Sequence, residues 1–232
     1  MKNLIVIPTY NEKENISPLI ADILSRKLGV DILVVDDNSP DGTAQVVEEL
    51  MQKQPQVHIL KRAGKSGLGK AYLAGFRWGL ERGYDGMVEM DADFSHRPED
   101  LQKILEVLPT HDFVIGSRYV EGGKTVHWGI LRKLISKGGS LYSRLILGHP
   151  IRDWTGGFNA WKRVVLEKMN LEGVKSEGYS FQIELKYKAS QLKFNGVEVP
   201  IVFEDRRVGQ SKMSLKIVLE AFYRVWLIRS EC

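Results

Sequence analysis

Short runs of aliphatic and β-branched residues alternate along the first half of the chain with segments of helical periodicity. The apolar runs are nearly unbroken, which is typical of strands in a parallel sheet that helices cover on both faces. We predict strands at 4–7, 32–35, 57–60, 87–90 and 113–116. Helices are predicted between them at 15–26, 43–54, 70–82 and 98–108. This repetition indicates an open α/β sheet with right-handed crossovers, in which ligands bind beyond the carboxyl ends of the strands.

The second half of the chain is less regular, and we expect it to complete a site rather than to form an independent domain. Helical periodicity predicts helices at 131–147, 179–190 and 215–228. A turn leads into a strand within 156–161, and a further strand is predicted at 197–203.

Composition excludes several classes of protein. A chain of 232 residues with 43% hydrophobic and 27% charged residues suits one folded domain and not a disordered chain. The net charge of +4, without a basic stripe, fits an anionic ligand or a membrane surface and gives no support to nucleic-acid binding. Cys232 is the single cysteine, so no internal disulfide is expected. No apolar run is long enough for a spanning helix or a signal sequence, and we expect a cytoplasmic protein.

Acidic residues cluster where the predicted strands end. Asp36 and Asp37 follow the second strand, Asp91 and Asp93 follow the fourth, and Arg118 follows the fifth. Carboxylates at this density need a cation or donors among them, and hard divalent cations bridge one or two carboxylates to substrate phosphates. The segment 38–42 by itself is better explained as turn chemistry. Asp91 and Asp93 are the stronger candidates for a metal and sugar site.

A glycine-rich segment, GKSGLGK at 64–70, nearly matches a phosphate-binding P-loop. The match fails at Ala71, where a Ser or Thr would hold magnesium. A nucleotide triphosphatase is therefore a weak alternative that ATP hydrolysis would reveal. We favour a mobile basic loop that closes over an anionic ligand.

The closing helix places apolar residues such as Phe222, Val225 and Trp226 at helical spacing. Packing on the sheet is the ordinary explanation for such a face, and an interfacial helix lying on a membrane is the alternative.

Several motifs resemble those of the inverting glycosyltransferases of family 2, which have the GT-A fold. They are VIPTYNE at 6–12, VDDNSPDGT at 35–43 and MDAD at 90–93. A closer resemblance is to the polyprenyl-phosphate (dolichyl-phosphate) mannose synthases, through GSRY at 116–119, RKLISKG at 132–138, DR at 205–206 and GQSK at 209–212. The resemblance implies one domain over 1–232, a Rossmann-like, mostly parallel open sheet flanked by helices. Residues 1–117 would bind the nucleotide sugar, and 118–232 would form a C-terminal acceptor-side extension.

The same resemblance implies roles for individual residues. The pocket for the base and ribose of a GDP-sugar would be formed by Pro8, Tyr10, Glu12, Val35 and Asp37. The diphosphate and a divalent metal, Mg²⁺ or Mn²⁺, would be bound at Asp91, Ala92 and Asp93, with Asp93 as the direct metal ligand. The nucleotide sugar would also contact Arg206 and Lys212, and the acceptor phosphate would be held by Arg118, Arg132 and Ser136. Catalysis is expected to depend most on Asp93 and Arg118. Some members have a Gln ligand where this chain has Ser95, which leaves the preferred metal open.

The implied reaction moves mannose from GDP-mannose to a polyprenyl (dolichyl-type) monophosphate with inversion. Such a lipid acceptor implies a peripheral position on the cytoplasmic face of a membrane, or a membrane-anchoring partner. Two alternatives stay open: a polyprenyl-phosphate glucosyltransferase that uses UDP-glucose, and a non-catalytic subunit that binds a nucleotide sugar. The sequence lacks the Gln-x-x-Arg-Trp motif, which speaks against a processive polysaccharide synthase.

Overall fold

The computed structural model describes residues 1–205 and 215–231, so the predicted contacts Arg206 and Lys212 lie outside the described residues. Seven strands form the main sheet in the order β3-β2-β1-β4-β7-β5-β8, and a small second sheet pairs β6 with β9. The strands are β1 Asn3–Thr9, β2 Val30–Asp36, β3 Val57–Lys61, β4 Gly86–Glu89, β5 Phe113–Ser117, β6 Lys124–Thr125, β7 Asn159–Lys162, β8 Gly196–Pro200 and β9 Val202–Phe203.

Helices connect these strands and cover both faces of the main sheet, as the near-continuous apolar runs predicted. They are α1 Lys13–Ser25, α2 Thr43–Met51, α3 Leu68–Glu81, α4 Pro98–Val107, α5 Ile130–Leu147, α6 Arg163–Lys168, α7 Gly178–Gln191 and α8 Leu215–Glu231. The predicted α/β class and the predicted elements of the first half are confirmed.

Parallel pairing brings the predicted site loops to one edge of the sheet. Strand β1 pairs in parallel with both β2 and β4, and the register places Thr9 beside Asp36. Strand β5 also runs parallel to β8, whereas β7 is antiparallel to its two neighbours, β4 and β5. The loops after β1, β2, β4 and β5 therefore leave the sheet on the same side.

Alternating side chains of the strands pack into two apolar cores, one on each face of the main sheet. Leu4 and Val6 belong to one core, and Ile5 and Ile7 belong to the other. Helix α3 approaches β1 closely at Gly75, where a Cβ atom would lie 2.3 Å from Cγ1 of Val6. A larger residue there would push α3 off the sheet and away from the edge that carries the site loops.

One predicted element is wrong in form. The single strand expected at 197–203 is divided at Ile201 into β8, which ends at Pro200, and β9. The amide of Ile201 donates to the carbonyl of Ser117, and the chain then leaves β5 to pair with β6. This change of sheet turns Phe203 toward the loop after β4, where it contacts His96.

Helix α5 has an unusual distribution of side chains. Its buried face consists of Ser136, Ser140, Ser143 and Leu147. Its exposed large apolar side chains are Ile130, Leu131, Leu134, Leu141 and Leu145. The helix also carries four Lys or Arg residues and no Asp or Glu. In the part of the chain that the structure describes, no helix is long and apolar enough to cross a bilayer.

Candidate active site

The ends of β1 and β2 are fastened together by Asp36. This buried carboxylate accepts from the hydroxyl of Thr9 at 2.9 Å, and from the amide and the hydroxyl of Ser39 at 2.9 and 2.6 Å. The Ser39 hydroxyl in turn accepts from the amide of Asn11. Asp36 therefore shapes the first two site loops rather than facing a ligand, and Ser39, within 38–42, takes part in the turn chemistry predicted for that segment.

The neighbouring Asp37 holds the glycine-rich loop. Its carboxylate accepts from the Arg62 guanidinium at 2.6 Å and from the amide of Ser66 at 3.4 Å. The ammonium of Lys65 lies 4.1 Å from the ring centroid of Tyr10, a cation–π contact. The basic loop thus lies over the predicted base pocket, although its sequence is not that of a P-loop.

The remaining residues of the predicted base pocket contribute in different ways. Pro8 and Val35 are register partners at the ends of β1 and β2, and both side chains are buried. With both side chains buried, a contact with a ligand would have to come from their backbone. Glu12 is half-buried and accepts from the side-chain amide of Asn15 at 2.8 Å.

The turn after β4 carries Asp91, Ala92 and Asp93 and is held from several sides. The hydroxyl of Tyr72 donates to Asp91 at 2.8 Å, and the backbone amide of Asp91 donates to Nδ1 of His96 at 3.0 Å. Asp93 accepts from the amide of Ser95 at 3.0 Å. Phe94 has a φ of +62°, which is rare for a bulky residue and marks a turn that its surroundings must stabilise.

Burial fixes the protonation states around this turn. Burial, followed by the adjacent Asp91 carboxylate, raises the pKa of the Tyr72 hydroxyl well above its ordinary value. Burial also lowers the pKa of His96, in spite of the nearby carboxylates. His96 is therefore neutral at pH 7, and because Nδ1 accepts a hydrogen bond, its proton is on Nε2.

The donor set of this turn fits a divalent cation. Asp91 is half-buried and Asp93 is almost fully buried, so two hard oxygen ligands come from one strand end. Within residues 1–205 and 215–231, no group of three or more acidic, His or Cys side chains is arranged to hold a metal by itself. Mg²⁺ and similar ions commonly use one or two carboxylates together with substrate phosphates, so two carboxylates are enough when a diphosphate completes the site.

Arg118 is held in a buried ion pair that the sequence did not predict. Its Nε and Nη2 donate to the two oxygens of Asp153 at 2.7 and 2.6 Å, and its backbone amide donates to the same carboxylate at 2.9 Å. Asp153 is completely buried. Burial alone would raise the pKa of Asp153, but Arg118 and then Lys186 outweigh it and the pKa lies below its ordinary value.

Two further buried ionisable groups, Lys186 and Glu89, lie near this ion pair. The ammonium of Lys186 donates to the carbonyls of Asp153, Trp154 and Gly156 at 2.9, 3.1 and 2.7 Å, so it fixes the turn that carries Asp153. Glu89, at the end of β4, is also fully buried, and burial raises its pKa to about 8. Burial lowers the pKa of Lys186 to about 8 as well.

The other two predicted acceptor residues lie on α5 and contact the same region. Arg132 donates to Asp205 at 2.7 Å, and its guanidinium lies 4.1 Å from the ring centroid of Trp128. Ser136 accepts from the hydroxyl of Tyr119 at 2.7 Å.

An aromatic cluster joins these residues to Arg118 and to the acidic turn. The rings of Tyr119, Trp128 and Phe203 lie 5.2 to 5.5 Å from the guanidinium of Arg118. Phe203 also meets the ring of His96 at 5.5 Å. The structure therefore brings Arg118, Arg132 and Ser136 together beside the turn of Asp91 and Asp93.

Several residues of this site were missed from the sequence. Asp153 and Lys186 lie far from Arg118 along the chain, and no local pattern connects them. The sequence offered no usable signal for Lys186, because it lies in the mixed polar and apolar run SFQIELKY at 180–187 and its complete burial is seen only in the structure. For the single histidine His96, the sequence favours helix capping or loop hydrogen bonding, and in the structure its Nδ1 accepts from the Asp91 amide.

The model of the family described as glycosyl transferase family 2 matches residues 4–169. An undecaprenyl-phosphate mannosyltransferase of Micrococcus luteus is 48% identical over 225 residues, which cover 97% of this chain and 93% of that protein. A polyprenol monophosphomannose synthase of Mycolicibacterium smegmatis is also 48% identical, over 98% of this chain and 88% of its own length. A dolichol-phosphate mannosyltransferase of Pyrococcus furiosus is 38% identical over 97% of this chain and 63% of its own length.

Solved structures of low identity share the architecture. Glucosyl-3-phosphoglycerate synthase of Mycobacterium tuberculosis, in complex with Mn²⁺, UDP and glucosyl-3-phosphoglycerate, has a TM-score of 0.65 and 18% identity, covering 98% of this chain and 78% of that one. A mannosyltransferase of Pyrobaculum calidifontis, in complex with GDP-mannose and Mn²⁺, has a TM-score of 0.59 and 17% identity, covering 99% of this chain and 73% of that one. At these identities the likeness concerns the fold.

Proposed function

Because the chain belongs to glycosyl transferase family 2, with the expected GT-A fold, we propose that it transfers mannose from GDP-mannose to a polyprenyl monophosphate. The products would be polyprenyl-phosphate mannose and GDP, with inversion at the sugar carbon. The two relatives at 48% identity are named for mannosyl transfer involving a polyprenyl phosphate and align over nearly the whole chain, which supports the assignment of sugar and acceptor.

The donor would lie along the loops after β1, β2 and β4. Tyr10 would stack on the base, and Asp37 would face the base or ribose. This arrangement requires Lys65 to leave the Tyr10 ring, which it now covers at 4.1 Å. The departing ammonium would then be available to the diphosphate, in keeping with a basic loop that closes over an anion.

Asp91 and Asp93 would hold a divalent cation against the donor diphosphate. Such a cation neutralises charge that develops on the leaving group. Tyr72 and His96 would keep the turn in place, one through a carboxylate and the other through a backbone amide. Arg206 and Lys212 are proposed as further donor contacts on the grounds of the sequence resemblance.

The acceptor needs no protein base. A phosphate monoester has its second pKa near 6 and is largely dianionic at pH 7, so its oxygen can attack without losing a proton. What the protein must supply is orientation and charge compensation. Arg118, Arg132 and Ser136 would hold the acceptor phosphate, while Asp153 limits the net positive charge beside the nucleophile.

The observation that carries this proposal is the position of both arginines around one aromatic cluster beside the acidic turn. Arg118 and Arg132 both face the ring of Trp128, and Phe203 connects that cluster to His96. An anionic acceptor held there would lie next to a donor held at Asp91 and Asp93.

We further propose that the chain works as a peripheral protein on the cytoplasmic face of a membrane. The exposed leucines of α5, its surplus of basic residues and the exposed Trp226 of α8 suit an interface that contains anionic lipid. The two helices pack together, with the rings of Tyr142 and Phe222 4.4 Å apart, so they would present one surface. A membrane-anchoring partner could use the same surface.

The test is transfer of radiolabel from GDP-mannose into a chloroform-extractable, mild-acid-labile lipid, with polyprenyl phosphate, detergent and Mg²⁺ or Mn²⁺. We expect transfer that a chelator abolishes and that Asp93→Asn reduces by at least a hundredfold. Asp85→Asn, which changes an exposed carboxylate outside the site, should transfer normally. UDP-glucose is assayed in parallel.

Label from UDP-glucose alone would move the donor assignment to the alternative polyprenyl-phosphate glucosyltransferase. Nucleotide-sugar binding without transfer from either donor would support the alternative of a binding subunit. Full activity of Asp93→Asn would refute the proposed metal and diphosphate site.

A further inference from the structure

Trp128 occupies an unusual position for a buried tryptophan. It lies in the loop before α5, it is 7% exposed, and its ring is shared by two cations, with Arg132 at 4.1 Å and Arg118 at 5.5 Å. Phe203 packs on it edge-on at 5.3 Å, so the indole has a fixed orientation.

Two hydrogen-bond donors in this cluster are buried and unpaired. Neither the indole Nε1 of Trp128 nor Nε of Arg132 has a hydrogen-bond partner among the residues that the structure describes. A buried donor without a partner is costly, so such groups are usually satisfied by a ligand, an ion or water. One indole N–H and two guanidinium groups around one ring are complementary to an anion with several acceptor oxygens.

The other buried tryptophans do not share this setting. Trp154 and Trp161 are completely buried in an apolar core, and the Trp161 indole lies within reach of the buried Glu89 carboxyl. Trp128 differs because two arginines flank its ring and because part of it reaches the surface.

We propose that Trp128 is an acceptor-phosphate residue: its indole N–H donates to an oxygen of the polyprenyl phosphate, and its ring holds Arg118 and Arg132 in place around that phosphate. The role rests on the proposed function and adds a residue to it. An indole N–H is neutral, so it binds a phosphate oxygen without adding charge that would weaken the nucleophile. The aromatic face meanwhile restrains two long side chains that would otherwise lose more entropy on binding.

The first test uses Trp128→Phe, which keeps an aromatic ring beside both arginines and removes the N–H donor together with part of the indole ring. We expect KM for polyprenyl phosphate to rise by about ten- to a hundredfold, as for loss of a hydrogen bond to a charged group. KM for GDP-mannose should stay within about twofold of the wild-type value. Trp78→Phe, on helix α3, is the matched control, because the guanidinium of Arg82, just after that helix, lies over the Trp78 ring at the same distance of 4.1 Å. That control should change neither KM.

A second measurement reads the indole directly in the wild-type protein labelled with ¹⁵N-tryptophan. The Trp128 indole resonance is assigned by its loss in Trp128→Phe. We expect farnesyl phosphate to shift this proton downfield, whereas farnesol, which lacks the phosphate, should leave it in place. An unshifted Trp128 resonance with saturating farnesyl phosphate, or an unchanged acceptor KM in Trp128→Phe, would overturn the proposal.

The two proposals can fail separately. If farnesyl phosphate shifts the Trp128 resonance but no mannose is transferred from GDP-mannose, the phosphate site stands and the transferase assignment is wrong. If transfer proceeds normally in Trp128→Phe, the assignment stands and Trp128 has no part in acceptor binding.

Discussion

Replacing Asp153 by asparagine tests how Arg118 is held. Asp153 is 0% exposed and Arg118 is 5% exposed, so both charges lie in a medium that screens them poorly. Oδ1 accepts from Arg118 Nη2 and from the amide of Gly156, and Oδ2 accepts from Arg118 Nε and its backbone amide. An asparagine amide has one acceptor oxygen. Whichever way it is turned, its NH₂ group faces two N–H donors.

The expected loss of stability follows from this geometry. Breaking a buried ion pair by removing one partner costs about 3–5 kcal/mol. For a domain of this size each kcal/mol lowers Tm by about 2–4 °C, so Asp153→Asn should melt about 6–20 °C below the wild type. The loss should be large because Lys186, which faces the same turn, also loses the countercharge of Asp153.

Activity should fall more than stability alone explains. A displacement of about 1 Å in a positioning group can reduce turnover about a hundredfold. Thermal unfolding followed by circular dichroism is combined with kcat and acceptor KM measured at a temperature where the variant is fully folded. Asp85→Asn, at an exposed carboxylate, should stay within about 0.5 kcal/mol of the wild type. An unchanged Tm would refute a stabilising role for the buried Arg118–Asp153 ion pair. Normal kinetics of the folded variant would show that Asp153 stabilises the fold without positioning Arg118.

Three further changes probe other parts of the molecule. Leu145→Glu, on the exposed face of α5, should reduce flotation with anionic liposomes severalfold. Leu192→Glu, at the exposed residue that follows α7, should leave flotation unchanged. Equal loss or no loss in both variants would remove α5 from the docking surface. Glu89 has a pKa of about 8 in the folded protein and an ordinary value of 4.5. Between these pH values the folded state holds a proton that the unfolded state has lost, so stability should decline as the pH rises from about 4.5 through 8. In urea unfolding, the free energy of unfolding should fall less between pH 5 and pH 8 for Glu89→Gln than for the wild type. An identical fall in both proteins would show that Glu89 is not the source of the pH dependence. His96→Asn keeps an acceptor near the position of Nδ1 and should retain more affinity for GDP-mannose and Mn²⁺, measured by calorimetry, than His96→Gln; the reverse order would show that the bond to the Asp91 amide does not matter.

Much of the fold could be predicted because its signals are local. Strand β1 and helix α3 follow from apolar periodicity within a few residues, and parallel topology then places the loops after β1, β2 and β4 at one edge. The one strand predicted at 197–203 was wrong in form because its division at Ile201 depends on pairing with Ser117 and with β6, which no local pattern encodes.

The sequence by itself determined the α/β class, the edge of the sheet that carries the chemistry and the family motifs, because each depends on residues close together in the chain. Tertiary structure alone decided how the charges are compensated. Asp153 lies 35 residues from Arg118, and Trp128 contacts an arginine on either side of it in the chain. Buried charges and donors need partners wherever the fold brings them, and those partners come from elements that meet only after the sheet and its helices have packed.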